Sequence, residues 1–192
     1  MNQHVTKVCQ IAYLEIRRIS SVRKYLTDDA TKTLVTSCVL SRLDYCNSLL
    51  MGADKKVIQP LQRVQNSAAR LIFRAPFRQP TTPLLYQLHW LPVSERIKYK
   101  IGCICFHVVN GTSPSYIADI LPLKQTLPSL RSASDTRLLE AGAYQRKRQG
   151  YRALSFYGPF FWNELPHAIR HCQTISSFKS NLKTYLFNKF FN

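Results

Sequence analysis

The stretch LQRVQNSAARLIFR, Leu61 to Arg74, decides the fold because its apolar residues recur at the spacing of an α-helix. At about 100° per residue, apolar side chains fall on one arc of this helix and polar or basic ones on the opposite arc. The apolar arc is made of Val57, Leu61, Val64, Ala68, Leu71 and Ile72. The sequence therefore predicts an amphipathic helix that begins near Val57 and packs on a helical core.

The polar arc of this helix carries three arginines and no acidic residue. Arg63, Arg70 and Arg74 fall within about 40° of one another on a helical wheel, and Gln59 and Asn66 lie on the same arc. Arginine, glutamine and asparagine side chains donate hydrogen bonds to phosphate oxygens, and arginine can donate two in parallel. The arc is therefore a candidate phosphate-binding surface, and a plain solvated helix face is the alternative.

Charge along the rest of the chain favours the binding interpretation. The 192 residues include 27 Lys and Arg against 10 Asp and Glu, which gives a formal charge of +17. No acidic residue occurs from Lys55 to Ser94. Such an imbalance causes self-repulsion that a polyanionic partner would relieve. Nucleic acid is the first candidate, an anionic membrane surface the second, and a ribosome-like assembly the third.

A second basic cluster, QRKRQGYR, spans Gln145 to Arg152. Neighbouring tyrosines and phenylalanines interleave with its cations, as in surfaces that follow a nucleic-acid backbone and stack its bases. A solvated hairpin tip explains the same pattern. The candidate nucleic-acid-binding residues of this cluster are Arg146, Lys147, Arg148 and Arg152.

Periodicity and turn residues predict a mainly α fold with three regions. A helical, bundle-like region covers 1–112, with its last helix ending at Asn110-Gly111, and a proline-containing linker covers 113–135. The C-terminal extension, 136–192, is predicted to hold a short β-hairpin near 136–157 and a terminal helix. The 45% apolar content is enough for a packed core.

Sequence features that would indicate catalysis or a metal site are weak. YLTDD, Tyr25 to Asp29, resembles the Tyr-x-Asp-Asp turn of polymerases but is one residue too long, and helix capping by Thr27 or Asp28 fits it better. Asp44 has no second carboxylate at helical spacing. The cysteines and histidines lack the paired spacing of structural zinc sites. We expect no cofactor, no metal and no catalysis by this chain alone.

Cysteine usage and hydropathy predict the compartment. The six cysteines occur without a secretory leader, so we expect reduced thiols. No apolar run approaches the roughly 18 residues of a membrane span. The sequence predicts an intracellular protein of the nucleus or cytoplasm that does not use a membrane as its partner.

Several segments together resemble the region after the palm in reverse transcriptases of LINE-type (non-LTR) retrotransposons of the jockey-like superfamily. The resemblance is carried, in this order, by RKYLTDDATKTLVTSCVLSRLDYCNSLLMG, LQRVQNSAARLIFR, LHWLPVSERIKYKI, GTSPSYIADIL, LRS, GYRALSFYGPFFWNELPHAIR and FKSNLKTYLF. It covers nearly the whole chain. It implies a thumb-like helical unit and a C-terminal extension that hold template RNA and the growing cDNA duplex, with the catalytic palm lying upstream.

The resemblance also assigns residues. The match at LQRVQNSAARL places Arg63, Asn66 and Arg70 on the basic helix of the family, and the match at GYRALS places Gly150 and Arg152. We therefore expect a non-catalytic C-terminal fragment that binds the phosphate backbone of RNA or an RNA–DNA duplex, with the missing palm as a further partner. Two alternatives are a transposon relic without function and a recruited protein-interaction module.

Overall fold

A computed structural model of the protein describes residues 2–124, 137–142 and 154–191, and these residues are mainly helical, as the sequence predicts. The α-helices are α1 Asn2–Val22, α2 Asp28–Val35, α3 Ser41–Asp44, α4 Lys55–Phe73, α5 Thr82–Gln87, α6 Val93–Val109, α7 Ser115–Ala118, α8 Leu154–Asn163, α9 His167–Arg170 and α10 Ile175–Phe191. The chain forms two compact units. Unit 1 comprises Met1–Ile97 and Phe190–Asn192, and unit 2 comprises Lys98–Lys189.

The amphipathic helix predicted from Leu61 to Arg74 is α4, and it packs against α1 in the core of unit 1. It begins at Lys55, two residues before the predicted start. Pro60 lies in its second turn, where it removes one backbone hydrogen bond without ending the helix. The buried residues of α4 are Leu61, Val64, Gln65, Ala68, Ala69 and Ile72. Four of the six residues of the predicted apolar arc are thus buried, and Val57 and Leu71 are half-buried, so the arc faces the core.

Helix α2 begins as the capping interpretation predicts. The Thr27 side chain accepts a hydrogen bond from the Ala30 amide at 3.2 Å, and Asp28 and Asp29 lie in the first turn. Acidic side chains there are favoured by the helix dipole. The two acids of YLTDD therefore have a structural role.

A π-helical segment, Thr36–Leu40, joins α2 to α3. The segment from Ser41 is predicted to continue helically to Gly52, but the α-helix stops at Asp44 and only a 3-10 turn follows. Cys46 adopts a left-handed backbone conformation with φ 53°, and a 3-10 turn, Asn47–Leu50, follows. A left-handed residue cannot continue the α-helical hydrogen-bond ladder, so the chain turns.

A buried arginine ties α1 to the end of α4. Arg23 lies in the 3-10 turn after α1 and is only 6% exposed. Its guanidinium donates to the backbone oxygens of Leu71 at 3.0 Å, Ile72 at 2.7 Å and Leu26 at 2.7 Å, and it pairs with Asp28. The last carbonyls of a helix have no partner within it. Arg23 supplies that partner at the C-terminal end of α4.

Unit 2 has an aromatic core around its terminal helix. Phe178 of α10 is fully buried and stacks on Phe106 with ring centroids 4.5 Å apart. Trp162 of α8 is also fully buried, and its ring lies 5.6 Å from that of Phe178. Leu182 and Leu186 complete the inward side of α10. The predicted terminal helix is confirmed.

The predicted β-hairpin near 136–157 is wrong in the part of the chain that the structure describes. Residues 154–157 belong to α8, and Leu139 makes only an isolated antiparallel bridge with Leu123. Asn163 of α8 accepts from the Leu139 amide at 3.0 Å and donates to its carbonyl at 2.9 Å. A side chain of a helix thus provides the pairing that the hairpin interpretation assigned to a second strand.

Candidate nucleic-acid interface

Helix α4 carries four of the five candidate residues of the first basic cluster on the side away from the core of unit 1, and the fifth, Arg74, follows its last residue. Gln59, Arg63 and Arg74 are exposed, and Asn66 and Arg70 are half-buried. Arg74 follows the last turn in a left-handed conformation with φ 51°. At 1.5 Å per residue, Arg63 and Arg74 are separated by roughly 16 Å along the helix axis. Arg63, Arg70 and Arg74 therefore follow one another along the helix axis, and they are called the basic row below.

Ion pairs within unit 1 leave this row positively charged. In the described part of the chain, no ion pair involves Arg63, Arg70 or Arg74. Each of the pairs found there joins an acidic residue to another arginine. These pairs are Glu15–Arg18, Asp28–Arg23 and Asp44–Arg96. The row of α4 is not neutralised by any of them.

Asn66 takes part in a network of amide side chains. Gln62 donates to Gln65 at 3.0 Å and to Asn66 at 2.9 Å, while its own oxygen accepts from the Val93 amide at 2.9 Å. Gln65, fully buried, donates to the Leu91 carbonyl at 2.9 Å. Gln62 thereby satisfies a free amide at the start of α6. The side-chain oxygen of Asn66 serves this network, so Asn66 also has a structural role.

Arg70 contacts and stabilises the segment that follows α4. Its guanidinium donates to the Gln79 carbonyl at 3.2 Å and lies over the Phe77 ring at 5.3 Å from the centroid. The Gln79 amide donates to the Pro76 carbonyl at 3.0 Å, so residues 76–79 form a β-turn. Phe77 and Arg78 occupy its two central positions, and both are exposed. Arg70 thus connects the basic row to this turn.

Sequence reasoning missed Phe77, Arg78 and the glutamine network. The PFRQP segment, with prolines at both ends, is the available signal for the turn. It does not reveal that the ring is exposed, since that depends on Arg70 reaching across from the helix. The pairing of Gln62 with Val93 joins residues 31 apart in sequence, which no local pattern records.

The second basic cluster lies outside the described residues, including Arg146, Lys147, Arg148 and Arg152. Two residues of unit 2 that flank this cluster in the sequence are hydrogen-bonded to each other: the Gly142 amide donates to the Ser155 carbonyl at 2.9 Å. Phe156 and Tyr157, two of the aromatic residues near this cluster, are half-buried in α8.

Features that would indicate a metal site are weak in the described residues. These residues contain no group of three or more His, Cys, Asp or Glu side chains that could hold a metal ion. Asp44 accepts a hydrogen bond from Arg96 Nε at 2.8 Å and pairs with the same guanidinium through its second oxygen. His167 and His171 stack with ring centroids 3.7 Å apart.

Across the described ranges, no helix is both long and apolar enough to cross a membrane.

The cysteines are free thiols, and the most deeply buried one lies in unit 2. Burial raises the pKa of Cys105 to about 12, although a backbone hydrogen bond acts in the opposite direction. Burial also raises the pKa of Cys103, against the lowering effect of Lys179 and Lys100. A thiol with a raised pKa is a poor nucleophile, so Cys105 behaves as a core residue.

Comparison with known protein families, with curated proteins and with solved structures finds no match to this chain.

Proposed function

We propose that the chain is a non-catalytic C-terminal part of a LINE-type, jockey-like reverse transcriptase, and that it binds the phosphate backbone of template RNA or an RNA–DNA duplex. The observation that carries this proposal is the row on α4, in which Arg63 and Arg74 are exposed and Arg70 lies between them. It would act in the nucleus or cytoplasm, beside the palm of the parent polymerase.

The dimensions of the row suit a nucleic-acid backbone. A single strand of a duplex carries one phosphate per about 3.4 Å of helix axis, so a row of roughly 16 Å can face several phosphates. Guanidinium groups bind phosphate oxygens by two parallel hydrogen bonds. Such contacts fix position without reading sequence, so the binding would tolerate any sequence.

The proposal assigns no chemistry to the row. Phosphoryl transfer by polymerases requires carboxylates that hold metal ions, and the acids nearest to such a pattern have structural partners. Asp28 pairs with Arg23, and Asp44 pairs with Arg96. The chain would hold the nucleic acid, and the upstream palm would carry out synthesis.

The test uses fluorescence anisotropy with a labelled RNA–DNA duplex and compares the wild-type chain with Arg63→Gln/Arg74→Gln. Each lost phosphate contact should lower the slope of log affinity against log salt by up to about 0.9. The double variant should therefore bind more weakly at low salt, and its slope should fall by up to about 1.8.

Lys7→Gln/Arg17→Gln is the matched control. It removes two exposed charges from α1 and gives the same net charge. If both double variants lose affinity equally, net charge rather than the α4 row is responsible. If the wild-type affinity does not change between about 50 and 200 mM salt, the backbone-binding proposal fails.

A groove in unit 1 favours a second candidate function, a protein-interaction module. It lies beside α1 and has a volume of about 230 Å³. Its lining residues are His4, Lys7, Val8, Ile11, Arg42 and Tyr45. In this case Arg63→Gln/Arg74→Gln would leave partner binding intact, whereas Tyr45→Ala would abolish it.

A further inference from the structure

Phe77 is an unusually exposed aromatic side chain at the edge of the basic row. It is 87% exposed, more than any other large hydrophobic residue among those described. One exposed apolar residue needs no explanation by itself. Here, however, the ring stands at the tip of a β-turn whose other central residue is Arg78, a few residues beyond Arg74.

The position of the ring is fixed by the helix behind it. Arg70 lies over the ring and also donates to the Gln79 carbonyl, so one side chain holds both the ring and the backbone of the turn. Pro76 and Pro80 restrict the backbone at both ends of the turn. With Arg70 against one face and 87% of the residue exposed, the opposite face of the ring is open.

We propose that Phe77 is a stacking site for an unpaired nucleobase, with Arg74 and Arg78 binding the phosphates on either side of that base. This inference rests on the proposed nucleic-acid function and adds a preference for strands with unpaired nucleotides. Bases within a duplex are stacked on each other and offer no free face, so Phe77 has no ligand along paired segments. A single-stranded template next to a duplex supplies both the phosphates for α4 and the base for Phe77.

The position of Arg70 over the Phe77 ring supports the stacking proposal. Arg70 already provides a cation on one side of the ring, and a base on the other side would complete an Arg–Phe–base stack. Stacking on an aromatic side chain is tolerant of base identity because every base has a π-face. The site would therefore select for unpaired strands without selecting for sequence.

The experiment compares three chains on two ligands. The ligands are an RNA–DNA duplex with blunt ends and the same duplex with a short RNA overhang that contains 2-aminopurine. The chains are the wild type, Phe77→Ala and Phe77→Trp. We expect Phe77→Ala to bind the overhang ligand about five- to a hundred-fold more weakly and the blunt duplex with unchanged affinity. Phe77→Trp should retain wild-type affinity and quench 2-aminopurine fluorescence.

Each other outcome overturns a defined part of the argument. Equal loss on both ligands for Phe77→Ala would mean that the ring only supports the turn, and the stacking inference would fail. No loss on either ligand, while Arg63→Gln/Arg74→Gln weakens both, would refute stacking and leave the proposed function in place; the ring would then be a candidate protein contact. Absence of salt-dependent binding by the wild type would reject both.

Misfolding can be separated from these outcomes. Because the Phe77 ring is exposed, its replacement should leave the thermal unfolding transition unchanged, as is usual for surface substitutions. A thermal melt of Phe77→Ala checks this directly. Phe77→Leu provides a further control, since it retains an apolar side chain without a ring and should show the same selective loss as Phe77→Ala.

Discussion

Replacing Arg23 with methionine should destabilise unit 1, because it leaves the end of α4 without its hydrogen-bond donor. The backbone oxygens of Leu71 and Ile72 would each lose a partner at 3.0 and 2.7 Å. An unsatisfied buried acceptor costs about 1–3 kcal/mol. The pair with Asp28 adds little, since that side chain is 68% exposed and screened by water. For the two acceptors together we expect a loss of roughly 2–6 kcal/mol.

Urea denaturation followed by Trp90 fluorescence measures this loss. Trp90 belongs to the same unit as Arg23 and is buried. Both arms would carry Trp162→Phe, which removes the other tryptophan of the chain. Lys24→Met is the matched control, because Lys24 is the exposed neighbour of Arg23 and the charge change is the same. Arg23→Lys keeps the positive charge but lacks the planar guanidinium group. Its free energy of unfolding should therefore lie between those of Arg23→Met and Lys24→Met.

A free energy of unfolding for Arg23→Met within about 0.5 kcal/mol of the Lys24→Met value would refute the reasoning. It would mean that water or a rearranged helix end satisfies the carbonyls of α4 once the guanidinium is removed.

Two further predictions concern unit 2. Gly102→Ala would place a methyl group 2.6 Å from Leu182 Cδ2 and 3.3 Å from Phe161 Cε1, so it should cost about 1–3 kcal/mol in a thermal melt. Gly111→Ala, which has open space but a φ of +66°, should cost only about 1–2 kcal/mol from backbone strain, and a larger loss there than at Gly102 would contradict the packing argument. Burial raises the pKa of Cys105 from 9.0 to about 12, so the folded state binds more protons than the unfolded state between these values. Stability should therefore fall as pH rises through this window, by up to about 1.4 kcal/mol per pH unit from this group, and the fall should be shallower in Cys105→Ala.

Local patterns predicted the helices well because helical periodicity records which side faces the core. The row of Arg63, Arg70 and Arg74 followed from the same geometry. The terminal helix was equally readable, since Phe178 and Leu182 repeat at one turn. In each case, the information lay within a few residues of the feature that it predicted.

Hydrogen bonds between residues far apart in the sequence could not be predicted from local patterns. The hairpin was expected from two short apolar runs, but Asn163 satisfies the backbone of Leu139 from a helix 24 residues away. No local pattern distinguishes Arg23 from a surface cation, although it donates to carbonyls 48 and 49 residues away. Asn66 is predicted to bind phosphate, and the sequence does not reveal that its side-chain oxygen also accepts from Gln62. A periodic pattern tells which side is buried and does not tell which polar groups meet there.

The π-helical segment Thr36–Leu40 makes unit 1 tolerant of a change in chain length at one place. A π turn holds one residue more than an α turn, so loss of one residue from this segment would restore regular α geometry and leave the following positions facing nearly the same way. Asp44 would still face Arg96, whose Nε lies 2.8 Å from its carboxylate. Loss of one residue from the regular helix α2 would instead rotate these positions by about 100°. Single-residue deletions should therefore be tolerated better between 36 and 40 than between 28 and 35.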